Sequence, residues 1–326
     1  MPPEMPMPFR NLHGVIAPII LPMAPDGAVD VRSLECHLRH LFDAGVHGLW
    51  VNGTTGEFHA LDVAERAVAV RVAAEVAAGR APVVAHVGDT ATRLAIRHAR
   101  AAVDAGADQV SVIAPYFAEL NREELRDHYR RIAEAVGFPI LAYHMPRLTK
   151  FALTADCVVR LAQEGVLAGI KDSDGDMAWF RRLVRRSAAA GSELRCFTGG
   201  SAISDLSLFV GASGVTSSLA NLTPSHLVAL YDAARAGDWA RARLMQDQLD
   251  DLLEAMRLAR RAPTLSTVVS TYKFVLASLG HIDADHAAEP LALLDEDERQ
   301  RLTSTVVPMV RELESAVRAK ERGDDT

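Results

Sequence analysis

Residues 139–172 read PILAYHMPRLTKFALTADCVVRLAQEGVLAGIKD. Two short apolar runs, Pro139–His144 and Ala168–Asp172, read as strands, and the stretch between them reads as a helix. The same alternation extends in both directions. Upstream lie the runs His13–Met23, Val46–Asn52, Pro82–Val87 and Gln109–Ala114; downstream lie Leu194–Thr198 and Gly214–Ser217. Each is followed by an Ala/Arg/Leu-rich helical stretch. Eight such runs give the count of an α/β fold of the (β/α)8 TIM barrel type.

Local signals agree with this frame. Asp62-x-x-Glu65 and Asn121-x-x-Glu124 have capping-box form ahead of helical stretches. Thr223-Pro224 puts a cap residue before a proline at the first helical position. Ala44-Gly45 and Ala105-Gly106 fall where a helix ends and a strand follows. From about residue 224 to 322 the pattern becomes helix after helix, with breaks at Gly237-Asp238 and Arg261–Pro263. The last helix is expected from Asp295 to about Lys320, kinked at Pro308, with the polar end ERGDDT frayed. The expected organisation is a catalytic barrel over 1–222, completed and extended by C-terminal helices over 223–326.

Composition narrows the function. The 326 residues are 49% hydrophobic, enough for a large core. The net charge of −7 leaves no electrostatic footprint for nucleic acid. Cys36, Cys157 and Cys196 are scattered without a CxxC, which argues against a disulfide framework and a structural zinc. No apolar run is long enough for a membrane span, and MPPEMPMPFR at the start lacks the layout of a signal peptide. A cytoplasmic protein is expected. Of 35 basic Lys and Arg residues only four are lysines: Lys150, Lys171, Lys273 and Lys320.

In such a barrel, reactive groups sit at the C-terminal ends of strands and in the loops that follow. Lys171 lies within the sixth run, one residue before its end. A lysine turned into the barrel would lose charge on burial, freeing the amine to attack a carbonyl and form an imine. The alternative is a strand-end lysine paired with Asp172 or Asp174. Lys150, Lys273 and Lys320 are expected to be solvated or ion-paired. Tyr143, at the end of the fifth run, is either a proton shuttle or a core tyrosine. Gly53-Thr54-Thr55-Gly56-Glu57 could hold a carboxylate with amides and hydroxyls, or simply turn the chain. Gly199-Gly200-Ser201 could offer backbone donors to an anion, or form a tight turn. His37, His40, His59, His86 and His144 form no evident ligand set, so no metal is expected. There is no G-x-S-x-G for a serine nucleophile.

Together, Gly53-Thr54-Thr55-Gly56-Glu57, Tyr143-His144-Met145-Pro146, Gly169-Ile170-Lys171-Asp172 and Gly211-Ala212-Ser213-Gly214-Val215 resemble the dihydrodipicolinate synthase / N-acetylneuraminate lyase family. The resemblance spans about residues 10–295, and Tyr143 precedes Lys171 by one βα unit as in that family. It implies a class I aldolase or lyase without metal or cofactor. Lys171 would form an imine with pyruvate or a larger 2-oxo acid, Tyr143 would relay protons, and Thr54 would link to that tyrosine. Thr55 would help bind the substrate carboxylate, with Gly53, Gly56, Gly199, Phe117, Leu148, His144 and His59 also expected around the substrate. It also implies a homo-oligomer, usually a tetramer.

Two departures bear on substrate. The synthase branch carries an arginine two residues past the proline, where this chain has Leu148, with Arg147 alongside. It also has a second tyrosine where this chain has Phe117, which cannot relay a proton. Glu57-Phe58-His59 and Lys171-Asp172-Ser173 look more like the sugar-acid branches. The expected reaction is cleavage of a 2-oxo-3-deoxy sugar acid to pyruvate and an aldehyde. Alternatives are a sugar-acid dehydratase, dihydrodipicolinate synthase itself, and a sensor that binds a 2-oxo acid without catalysis.

Overall fold

A computed structural model describes residues 12–261 and 264–321. The strands are β1 (Gly14–Pro18), β2 (Gly48–Val51), β3 (Val83–His86), β4 (Gln109–Ile113), β5 (Ile140–His144), β6 (Leu167–Asp172), β7 (Arg195–Thr198) and β8 (Gly214–Val215). All are parallel, each pairs with the next, and β8 returns to β1 to close the barrel. Each of the eight runs read from the sequence contains or overlaps its strand. Closure depends on two glycines. Gly14 pairs with Gly214, and a Cβ on Gly214 would overlap the backbone of Gly14.

Between the strands run α1 (Val31–Asp43), α2 (Val63–Ala77), α3 (Thr92–Asp104), α4 (Arg122–Val136), α5 (Ala155–Gln163), α6 (Met177–Ala189) and α7 (Ser204–Phe209), and α8 (Pro224–Arg235) follows β8. Both capping boxes form: Asp62 accepts from Ala64 and Glu65 N–H, and Asn121 from Glu123 and Glu124 N–H. Thr223 departs from expectation. Pro224 does start α8, but the Thr223 hydroxyl donates back to Leu219 O at 3.2 Å and leaves the helix uncapped. A 3₁₀ turn, Ser218–Asn221, places that carbonyl within reach and wins the hydroxyl.

The C-terminal part holds α9 (Trp239–Leu258), α10 (Leu265–Ser278), α11 (Glu296–Arg301) and α12 (Val307–Glu321). It is not helix throughout: residues 279–295 run without regular structure between α10 and α11. The irregularity near Pro308 is a π segment, Leu302–Val306, joining α11 to α12. Pro308 has no N–H for the usual bond to Ser304, and Val307 N–H reaches back five residues to Leu302 O. All but Arg261 of the expected break at Arg261–Pro263, the stretch MPPEMPMPFR and all but the first residue of ERGDDT lie outside the described residues.

Strand alternation divides the core in two. Ile16, Trp50, Val84, Ile113, Leu141, Tyr143 and Phe197 fill the barrel interior. Val15, Ala17, Leu49, Val83, Val112, Ala142 and Ile170 face the helices and join a larger cluster there. Among the described residues no helix is long and apolar enough to cross a membrane.

Candidate active site

Lys171 sits next to last in β6, in register with Tyr143 on β5 and Phe197 on β7. Its parity turns it inward. There its Nζ lies over the Tyr143 ring at 4.7 Å from the centroid and over the Trp50 ring at 5.2 Å. The side chain is buried, and among the described residues it forms no ion pair. Burial alone pushes its pKa from 10.5 down to about 7. The aromatic faces favour the cation by only about 1–2 kcal/mol, too little to offset the lost hydration. Asp172 and Asp174 do not pair with it. Asp172 is the next residue on the strand, so it points outward, where its carboxylate accepts from the Asp174 N–H and meets His144.

The Tyr143 hydroxyl stands 3.2 Å from Thr54 Oγ1 and donates to Met145 Sδ at 3.1 Å, with a further side-chain bond to Ser173. Burial raises its pKa, opposed by those bonds to Thr54 and Ser173. Thr54 opens a 3₁₀ turn, Thr54–Gly56, directly after β2. Gly53 O accepts from Gly56 N–H and Phe58 N–H, whereas the N–H groups of Thr54 and Thr55 meet no acceptor among the described residues. An open pair of donors beside two hydroxyls can receive a carboxylate.

Lys171, Tyr143, Thr54, Thr55, Gly53 and Gly56 therefore come together, and other expected residues do not. His144 faces the helix layer: it follows Tyr143 on an alternating strand, bonds Asp172 at 2.8 Å and stacks on Trp179 at 4.3 Å. Gly199 borders the amine but donates nothing to a ligand, because its N–H is already bonded to Asp172 O at 2.6 Å. Its contribution is space: a Cβ there would overlap Ser173 Oγ and stand 2.8 Å from Lys171 Cε. His59 is exposed on the turn after Phe58. Phe117, on the loop after β4, is 91% exposed, and Leu148, in the single helical turn Pro146–Thr149 after β5, is 44% exposed, so both lie beyond the strand ends rather than packed on the amine.

Trp50, Met145 and Ser173 were absent from the expected set. Parity along β2 could have found Trp50, since it faces the same interior as Lys171. The contacts of Met145 and Ser173 depend on how the loops fold and left no pattern in the sequence.

A buried amine whose pKa burial lowers to about 7, beside a hydrogen-bonded phenol at the C-terminal rim of a parallel barrel, defines a class I lyase that works through a Schiff base. Comparison with known proteins agrees. The family model of the dihydrodipicolinate synthetase family matches residues 11–308. An uncharacterised DapA-like lyase of Halobacterium salinarum is 34% identical over 313 residues, covering 95% of this chain and 99% of the relative. A 4-hydroxy-tetrahydrodipicolinate synthase of Methanoculleus marisnigri is 33% identical over 297 residues, covering 90% and 98%. Among solved structures, YagE, a prophage protein of this family from E. coli K12 in complex with pyruvate, superposes with a TM-score of 0.84 at 27% identity, covering 93% and 98%. The chain belongs to the dihydrodipicolinate synthetase family.

Proposed function

We propose that this lyase cleaves, or in reverse condenses to form, a 2-oxo-3-deoxy sugar acid, giving pyruvate and an aldehyde. The observation that carries the reading is Lys171, buried without a counter-ion and with its pKa lowered to about 7, next to the Tyr143–Thr54 pair. The neutral amine attacks the keto carbon, and Tyr143 gives its proton to the departing hydroxyl, so that water leaves an iminium beside the Tyr143 phenolate. The C3–C4 bond then breaks, its electrons pass to the iminium nitrogen as an enamine forms, and the phenolate takes back a proton from the C4 hydroxyl. Protonation of the enamine at C3 and hydrolysis of the imine release pyruvate. Thr54 orders the Tyr143 hydroxyl, and the Thr54–Thr55 amides and hydroxyls hold the substrate carboxylate.

The related structure bound to pyruvate supports pyruvate as the common part of the substrate. Leu148 and Phe117 count against aspartate semialdehyde as a second substrate. Neither has a charge or hydroxyl with which to grip or protonate it. Family resemblance further supports a cytoplasmic homotetramer with no metal or cofactor, its barrel over 1–222 and helical extension over 223–326.

The test is borohydride reduction with pyruvate, followed by peptide mass mapping and a pyruvate-release screen across 2-oxo-3-deoxy acids. An adduct on the Lys171 peptide with pyruvate release supports the reading. No adduct on that peptide sinks the mechanism. A deoxy-dioxo acid formed without pyruvate would make the enzyme a dehydratase. Turnover confined to pyruvate with aspartate semialdehyde would make it the synthase.

A further inference from the structure

Glu57 closes the Gly53–Gly56 turn, yet the reaction above makes no use of it. Its backbone is left-handed at φ 56°, a region that non-glycine residues rarely occupy. Its N–H donates to Thr54 O at 3.2 Å, so its position is tied directly to the turn that carries Thr54 and Thr55. The side chain is fully buried and points away from the barrel mouth to the C-terminal region. There one carboxylate oxygen lies 2.5 Å from Lys273 Nζ on α10, also fully buried. The other accepts the Ala288 N–H at 2.7 Å.

Lys273 in turn donates to His286 O at 2.6 Å. Both His286 and Ala288 belong to the irregular segment 279–295. That segment is itself fixed to the body. Asp283 N–H donates to Ser33 Oγ at 3.0 Å, Ser270 Oγ to Ala292 O at 2.8 Å, and Arg299 pairs with Asp285 at 2.7 Å. A continuous chain of polar contacts thus runs from the helical extension to the turn beneath the open amides.

We propose that Glu57 and Lys273 are positioning residues: their buried ion pair holds the Thr54–Thr55 turn in the geometry that binds the substrate carboxylate. The inference rests on the lyase reading for the identity of that carboxylate, pyruvate being its smallest form. It assigns the C-terminal helices a role at the site, although among the described residues none of their side chains bonds to Lys171. A left-handed residue is an unstable place to end a turn, and an anchor on both carboxylate oxygens is what keeps it there. Removing one partner leaves a buried charge uncompensated and costs stability whatever the function, so single variants alone decide nothing.

The double variant separates the roles. Lys273→Met, Glu57→Gln and Glu57→Gln/Lys273→Met are compared with the intact chain by thermal unfolding, by the pyruvate concentration that half-saturates borohydride trapping on Lys171, and by hydrogen exchange over residues 53–60. The expected result is that the double variant recovers much of the melting temperature lost in the singles. Its half-saturating pyruvate stays raised about tenfold or more, and exchange over 53–60 stays faster. Recovery of half-saturation to the wild-type value together with stability would overturn the proposal, leaving a purely structural pair. Wild-type exchange over 53–60 in the double variant would also overturn it. If the intact chain traps no pyruvate, the lyase reading fails instead, and the exchange measurement, which needs no substrate, still decides whether the pair holds the turn.

Discussion

Replacing Lys171 with methionine should stabilise the protein while abolishing imine formation, and the gain should depend on pH in a defined way. The amine has a pKa near 10.5 when the chain is unfolded and about 7 when folded. Below pH 7 both states are protonated, and the folded state bears the full cost of the buried cation. Between pH 7 and 10.5 the unfolded state binds the extra proton, so wild-type stability rises with pH. Above 10.5 both are neutral and the cost is gone. Each pH unit in that window is worth about 1.4 kcal/mol, so the whole span is of the order of 5 kcal/mol. A methionine side chain is similarly straight and has no proton to lose. The advantage of Lys171→Met over wild type should therefore be greatest at or below pH 7 and shrink by about 1.4 kcal/mol per unit towards pH 10. Other alkaline titrations occur in both proteins and cancel in the difference. Urea unfolding of the pair at pH 7, 8, 9 and 10 measures it. A difference that does not change with pH would refute the reasoning, because it would mean that folding does not depress the amine.

Four further outcomes follow from the same geometry. The rate of imine formation with pyruvate should rise with pH through about 7 and level off above it, as the lowered pKa requires, and stopped-flow or quenched trapping would read it. Tyr143→Phe should still trap pyruvate on Lys171 but lose about 10²–10⁴ in kcat, since only the proton relay is removed; wild-type turnover would exclude the relay. Gly199→Ala should suppress trapping and lower stability by about 1–3 kcal/mol, because the new methyl displaces Ser173 Oγ and Lys171 Cε. His144→Ala should lower stability by about 1–3 kcal/mol through the stranded Asp172, yet leave the KM of the cleaved substrate nearly unchanged; a large KM effect would place its ring back in the site.

The fold was legible because its signals are local and repeated. Eight apolar runs, two capping boxes and the Ala-Gly helix ends each follow from a few neighbouring residues. The segment 279–295 was not legible, because its backbone bonds go to Glu57, Lys273, Ser33 and Ser270, residues scattered along the chain. At the candidate site, the motifs picked out Lys171, Tyr143 and Thr54, which the fold brings together, but proximity in sequence was a poor guide to what faces the barrel interior. His144 and Asp172 lie beside the two key residues and point the other way, because strand side chains alternate. Gly199 fell in the right place for a different reason than expected: its N–H is held by Asp172 O, and its missing side chain is what matters. Counting strand parity from Tyr143 and Lys171 would have removed His144 and added Trp50.

The scarcity of lysine acquires a sharper meaning from the contrast between two of the four. Lys171 and Lys273 are both buried, and burial lowers the pKa of each. Around Lys171 there are aromatic faces, a glycine and, among the described residues, no carboxylate, so only the weak pull of the rings opposes the loss of its proton. Lys273 has Glu57 at 2.5 Å, with Asp285 also favouring the charged form. On the proposed reaction the same side chain is thus a nucleophile at one place and an ion-paired strut at the other, and the deciding difference is the presence of an anion. Position along the chain could suggest which lysine ends a strand, but it could not show that Glu57, from the very motif that forms the carboxylate cradle, partners the other one. A carboxylate placed near Lys171 should therefore convert it towards the second kind. Ser173→Asp would raise its pKa and slow trapping at pH 7, with the loss diminishing as pH rises. Trapping that stays slow by the same factor at every pH would show that the new side chain merely blocks the site.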